Sequence, residues 1–151
     1  MQKFSLTINS FNRDAKESAY NANILSNVFL VSLVKIDHSI FKSHAYSTVI
    51  NTDKDKEILE HTECRFGKWY SGEGRERFGD YSEYKEIDIS HKAVHDYAKD
   101  NLKYVKNNSV YEQENSKYIV ENFKEMEDAS TKLALLLNEM VEQQFLVSKD
   151  I

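Results

Sequence analysis

The sequence predicts an all-α protein, an antiparallel four-helix bundle with an additional short helix or loop segment carrying the cysteine. Three observations lead there. There is no proline among the 151 residues, the four glycines (Gly67, Gly72, Gly74 and Gly79) fall within one window, and apolar residues recur at three- and four-residue steps. A sandwich or small barrel needs many tight turns marked by Gly, Pro or Asn-Gly, and those marks are missing. A hydrophobic fraction of 40% suits one domain with its own core.

Nothing interrupts a helical pattern from about residue 14 to 50, where Ile24, Val28, Val31, Lys35 and His38 recur with Leu25, Phe29 and Phe41 alongside. At ~1.5 Å per residue such a helix reaches ~55 Å, so its polar first part is expected to project from the bundle. Asn51-Thr52-Asp53 supplies a turn, and residues 54–63 read as a short helix leading to Cys64. Residues 64–90 read as irregular, with Gly72-Glu73-Gly74 as a turn and Trp69 and Tyr70 packed over the bundle end. Ser90 is placed to cap a helix over 91–106 whose Val94, Ala98, Leu102 and Val105 share a face. After Asn107-Asn108, Ser109 and Glu112 have capping-box spacing. Beyond them Ile119, Phe123, Met126, Ser130, Leu133, Leu137 and Met140 form a coiled-coil-like seam, widened by Val120, Ala134, Leu136 and Val141.

Charge and cysteine usage narrow the function classes. With 25 acidic against 20 basic residues the net charge is -5, and Lys and Arg are interspersed with Glu and Asp, which argues against nucleic-acid binding. The single cysteine, Cys64, has no intrachain disulfide partner, so a reducing cytoplasm is the expected location. The most apolar run, residues 24–36, is broken by Ser26, Asn27, Ser32 and Lys35 and reads as too short for a membrane span. No signal peptide is read at the start of the chain.

His91 and His95 stand four apart on a helix and face one way, a spacing that alone is common. A site made from His38, Cys64, His91 and His95 would join one thiolate and three imidazoles from three segments, a donor set suited to tetrahedral zinc; calcium or magnesium would want clustered carboxylates. Four protein ligands close the coordination sphere, which argues against a hydrolase, and no enzyme is expected. Zinc brings +2 and the ligated thiol gives up one proton, so occupation moves the net charge from -5 to -4. A position near the helix N-terminus is expected to hold His91 and His95 neutral.

The strings His38-Ser39-Ile40, Cys64-Arg65-Phe66-Gly67-Lys68-Trp69 and His91-Lys92-Ala93-Val94-His95, in that order and spacing, resemble the chemoreceptor zinc-binding domain of bacteria, over roughly residues 25–137. Ile40 departs from the aromatic or leucine more usual there, with Phe41 beside it; the change touches packing rather than ligation. The resemblance implies a helical, usually dimeric, cytosolic sensor domain attached to chemotaxis receptors or diguanylate cyclases, with zinc held by His38, Cys64, His91 and His95. Its partners would be a second copy, an upstream signalling domain and, through it, the chemotaxis kinase complex. On this reading residues 1–22 are a helical lead-in, 23–146 the zinc-binding bundle and 147–151 a tail.

His44 and His61 read as bystanders, one on another helix face and one in a charged segment. Asp37 and Asp96 are candidates to accept an imidazole N–H bond, and Trp69 to shield the thiolate. The function expected is a regulatory domain whose Cys64 thiolate is attacked by oxidants such as hypochlorous acid, loosening the site and altering helix packing. A zinc-level sensor and a purely structural zinc site in a dimerisation module are the alternatives. Cys64 as a catalytic nucleophile would need an oxyanion site and a pocket, and the sequence points to neither.

Overall fold

The computed structural model describes residues 2–147, which are all-α; residues 148–151 of the expected tail lie outside them. Helix α1 is Gln2–Ile50, followed by α2 Arg65–Trp69, a π-helical turn Tyr70–Gly74, α3 Arg75–Phe78, α4 Tyr84–Lys106 and α5 Gln113–Val147. The side-chain pairs set the directions. Asn27 reaches Gln144, Lys35 reaches Asn138 and Lys42 reaches Glu127, so α5 runs antiparallel to α1. Asn101 donates to Ile119 O and Lys132 to Glu86, so α4 and α5 are antiparallel as well. Consequently α1 and α4 run parallel, and the described residues hold three long helices, with the short helices α2 and α3 packing Phe66 and Phe78 into the core between them.

Each long helix buries one stripe. In α4 the buried face is Tyr84, Ile87, His91, Val94, Ala98, Asn101 and Val105, alternating steps of three and four, with His91 and His95 standing where core residues stand. In α5 Ile119, Met126, Leu133, Leu137 and Met140 are buried as the seam requires, while Val120 faces solvent. Phe66 and Phe78 from the short helices fill the end of the core against Val31, Val34, Tyr84, Ile87 and Leu137. At both helix ends a non-glycine residue takes the left-handed conformation: Thr52 (φ 50°) after α1 and Asn108 (φ 58°) after α4.

Several local expectations are corrected. Residues 54–63 are not helical: the stretch lies along α4, with Ile58 packed into the core, Glu60 paired with Lys99 and Leu59 O beside His95, so tertiary contacts override helix propensity. The glycine window is largely helical rather than irregular. None of its glycines has positive φ, and Gly72-Glu73-Gly74 lies in the π-helical turn with a kink at Gly72. Tyr70 and Tyr84 pin that turn to α4: their rings stack at 4.2 Å and each hydroxyl donates to the other's carbonyl. Helix α4 begins at Tyr84, so Ser90 is an interior residue and not a cap. Ser109 Oγ turns back to Tyr104 O instead of closing a capping box.

The apolar length of α1 also exceeds the sequence reading. Among the described residues one helix, Thr7–Ile50, is long and apolar enough by length and composition to cross a membrane. The reason is two apolar faces. One is buried and includes Ile24, Val31 and Val34 together with the polar Asn27 and His38; the other, Leu25, Phe29, Leu33, Ile36 and Ile40, is exposed.

Candidate metal centre

The three histidines come from the middle of long helices, and the cysteine comes from a turn. His38 lies on the buried face of α1, and His91 and His95 lie two and three turns into α4. Cys64 is the N-cap of α2: its extended backbone ends the 51–64 connection, and its Sγ accepts the Gly67 amide at 3.3 Å. One donor atom from each of His38, Cys64, His91 and His95 falls within a set whose members all lie within 4.8 Å of one another.

The imidazole tautomers follow from their partners. His38 Nδ1 is 2.8 Å from Val34 O and His95 Nδ1 is 2.9 Å from Leu59 O, so both neutral rings donate from Nδ1 and keep the Nε2 lone pair free. His38 Nε2 is buried with no protein partner, an arrangement that a metal ion resolves. His91 Nε2 lies 3.2 Å from Cys64 Sγ. The rings are mutually perpendicular in outline, with centroids 5.0 Å apart for His38–His91 and 4.9 Å for His91–His95.

Burial, rather than the helix terminus expected from the sequence, keeps these rings neutral. It lowers the pKa of His38, brings His95 down to about 4 and His91, which also faces the other histidines, to about 2. Burial pushes the Cys64 thiol up, opposed by the Gly67 and Phe66 amides. A divalent cation reverses that balance and favours the thiolate. Neutral imidazoles, an ionisable sulfur and the absence of any clustered carboxylate among the four donors fit zinc.

The remaining sequence candidates have other partners. Asp37 pairs with Arg65 of α2 at 3.4 Å and Asp96 pairs with Lys92, so backbone carbonyls, not these carboxylates, take the Nδ1 protons of His38 and His95, while His91 Nδ1 is buried without a partner. Trp69 stacks on Phe66, with centroids 5.7 Å apart, and Phe66 in turn lies edge-on to His91 at 4.9 Å; the indole backs the residue that covers the site. His44 is exposed. His61 is the residue the sequence reading missed: its ring lies 5.6 Å from that of His91, and its Nδ1 is buried without a partner. The signal available was its place three residues before Cys64.

Gly67 explains its own place in the motif. A Cβ there would stand 2.0 Å from His61 O and 2.8 Å from Thr62 Cα, so only glycine lets α2 approach the turn closely enough to present Cys64. A cleft of about 250 Å³, lined among others by Phe41, His44 and Leu59, leads from the surface to Cys64 and His95.

Taken together, these features define a helical domain with a cluster of three histidines and one cysteine that could hold a metal ion. Residues 38–102 match the family model of the chemoreceptor zinc-binding domain, the family that the sequence motifs resemble. The family is defined by zinc binding rather than by catalysis, and zinc is the cofactor of this chain. No curated protein and no solved structure matches the chain.

Proposed function

We propose that the chain is a cytoplasmic regulatory module of a signalling protein, in which oxidation of Cys64 changes zinc ligation and thereby helix packing. His38, Cys64, His91 and His95 are the ligands, and the observation that carries the reading is the uneven support of the four. Three sit on long helices, and the fourth caps a five-residue helix at the end of a non-helical connection, beside an open cleft. Zinc bound there supplies a double positive charge that keeps Cys64 a thiolate and joins three segments of chain. The sulfur takes the oxygen of hypochlorous acid, the O–Cl bond breaks and chloride leaves. The proton stays on the new sulfenic acid, so sulfur loses the two electrons that chlorine gains. Cys64 is then a poorer donor, and α2 is freed from the pocket.

The same reading makes residues 23–146 the zinc-binding bundle and the part of α1 before it a helical lead-in from an upstream chemoreceptor signalling domain, with the chemotaxis kinase complex as the eventual target. The exposed stripe Leu25, Phe29, Leu33, Ile36 and Ile40, stepping by four and three along α1, supports a homodimer through that helix. It also accounts for the membrane-like hydropathy of α1 without a bilayer, since the opposite face buries Asn27 and His38 against the other helices.

The test is hydrogen exchange of the zinc-loaded protein treated with one equivalent of hypochlorous acid. Faster exchange over residues 51–83, absent in Cys64→Ser, is the expected result. Unchanged exchange with Cys64 fully oxidised would overturn the redox reading and leave a structural zinc site.

A further inference from the structure

We propose that His61 is a reserve zinc ligand, which takes the position of Cys64 when the sulfur is lost as a donor. The inference rests on the ligand set proposed above. In the resting geometry His61 is not among the four mutually close donors, so it is not a fifth ligand. It is nevertheless nearly as well placed as a ligand. Its ring centroid is 5.6 Å from His91 and 6.5 Å from His95, against 5.0 and 5.9 Å for His38 to the same two rings.

The two nitrogens of His61 are already differentiated. Nδ1 is buried and has no hydrogen-bond partner. Nε2 lies 3.8 Å from Asp88 Oδ1, beyond hydrogen-bond distance but on the side where a negative carboxylate favours the proton on Nε2 and leaves the Nδ1 lone pair for a metal.

The turn links the two residues mechanically. His61 and Cys64 are separated by one tight turn, in which Glu63 N donates to Glu60 O and the Cys64 thiol donates to His61 O at 3.3 Å. With zinc on the thiolate that last bond is absent, so the sulfur holds the turn through the metal alone; movement of the oxidised Cys64 out of the pocket turns the same four residues and brings the His61 imidazole to the place of the sulfur. Exchange of a thiolate for an imidazole raises the formal charge of the zinc site from +1 to +2. Zinc is therefore held less tightly after oxidation, yet kept, and reduction of the sulfenic acid by two small-molecule thiols, which leave as a disulfide while the oxygen leaves as water, restores the first arrangement without a search for metal.

Zinc dissociation constants from chelator competition, measured on the wild type, His61→Ala, Cys64→Ala and the double variant, test this. His61→Ala is expected to change affinity less than about twofold when Cys64 is present and to weaken it about tenfold or more in the Cys64→Ala background. In zinc-loaded Cys64→Ala, long-range proton–nitrogen spectra should show four metal-bound imidazoles. Equal effects of His61→Ala in both backgrounds would mean that the ring only packs against His91, and would overturn the inference, as would three bound imidazoles. A wild type that binds no zinc would instead overturn the ligand set itself.

Discussion

Two regions meet at the metal pocket and differ in how they are held. His91 and His95 project from the interior of a 23-residue helix whose buried face continues on both sides of them, and both are almost fully buried. Cys64 enters from a connection with no helix between Ile50 and Arg65, fixed by a few specific contacts: Ile58 in the core, Glu60 with Lys99, and Leu59 O with His95. The helix side is a preformed platform, and the turn side is a latch. A site in which every ligand sat on a long helix would be tighter, but chemical change at one ligand would have no easy route into chain movement.

Breaking the platform is expected to have the largest effect. Structural zinc is worth ~10–16 kcal/mol over four ligands, so removing one costs ~3 kcal/mol, about a hundredfold in affinity. His91→Ala also leaves a cavity beside Phe66, with a further loss of stability. Chelator competition and thermal melting of the zinc-loaded protein measure the two effects. Should His91→Ala lose less affinity than Cys64→Ala, the assignment of platform and latch is inverted.

Loosening the latch alone comes next. In Gly67→Ala the added methyl meets backbone at His61 and Thr62, which forces α2 away from the turn. Overpacking of this kind costs about 1–3 kcal/mol, and it falls on the presentation of Cys64 rather than on α4. Zinc affinity is expected to fall about tenfold, with helix content unchanged by circular dichroism. Unchanged affinity would show that the turn is not held by this close approach.

Acid separates the two regions in the metal-free protein. The folded-state pKa values of His91 and His95 lie at about 2 and about 4, below the ordinary 6.5, because burial disfavours the charged rings. The unfolded chain therefore takes up protons first. The stability that the neutral rings contribute is complete above pH 6.5 and is lost as pH falls towards the folded values. Melting temperature is expected to drop steadily from pH 7 to pH 4, and in His91→Gln/His95→Gln much less. Parallel curves would place the acid sensitivity elsewhere.

The platform was legible in the sequence and the latch was not. The steps of α4 and α5 put Val94, Ala98, Leu133 and Leu137 on the buried faces, and the His91–His95 spacing needs only helix geometry to become a pair of donors. Residues 54–63 carry no such internal instruction. Their conformation is decided by Lys99, His95 and the core around Ile58, all distant in the chain, and local propensity misassigned them as helix. The start of α4 was missed for a related reason, since the Tyr70–Tyr84 pair that fixes it joins two segments read as one irregular stretch. His61 was overlooked because its surroundings come from α4 and not from its charged sequence neighbours.

The smallest effects are expected from the carboxylates that flank the ligands in sequence. Asp37 is bonded to Arg65 and Asp96 to Lys92, on solvent-facing sides of their helices, and neither touches an imidazole. Exposed pairs of this kind contribute about 0–1 kcal/mol. Asp96→Asn should leave zinc affinity within about twofold, because the His95 proton is held by Leu59 O, a main-chain group on the latch that no side-chain substitution removes. Asp37→Asn differs in one respect: Arg65 is the first residue of α2, so loss of this pair releases the latch slightly and leaves the platform alone. Faster hydrogen exchange in α2 at unchanged zinc affinity is the expected signature. A tenfold loss of affinity in either variant would mean that a carboxylate reaches the pocket in solution, and that the backbone carbonyls are not what orients the rings.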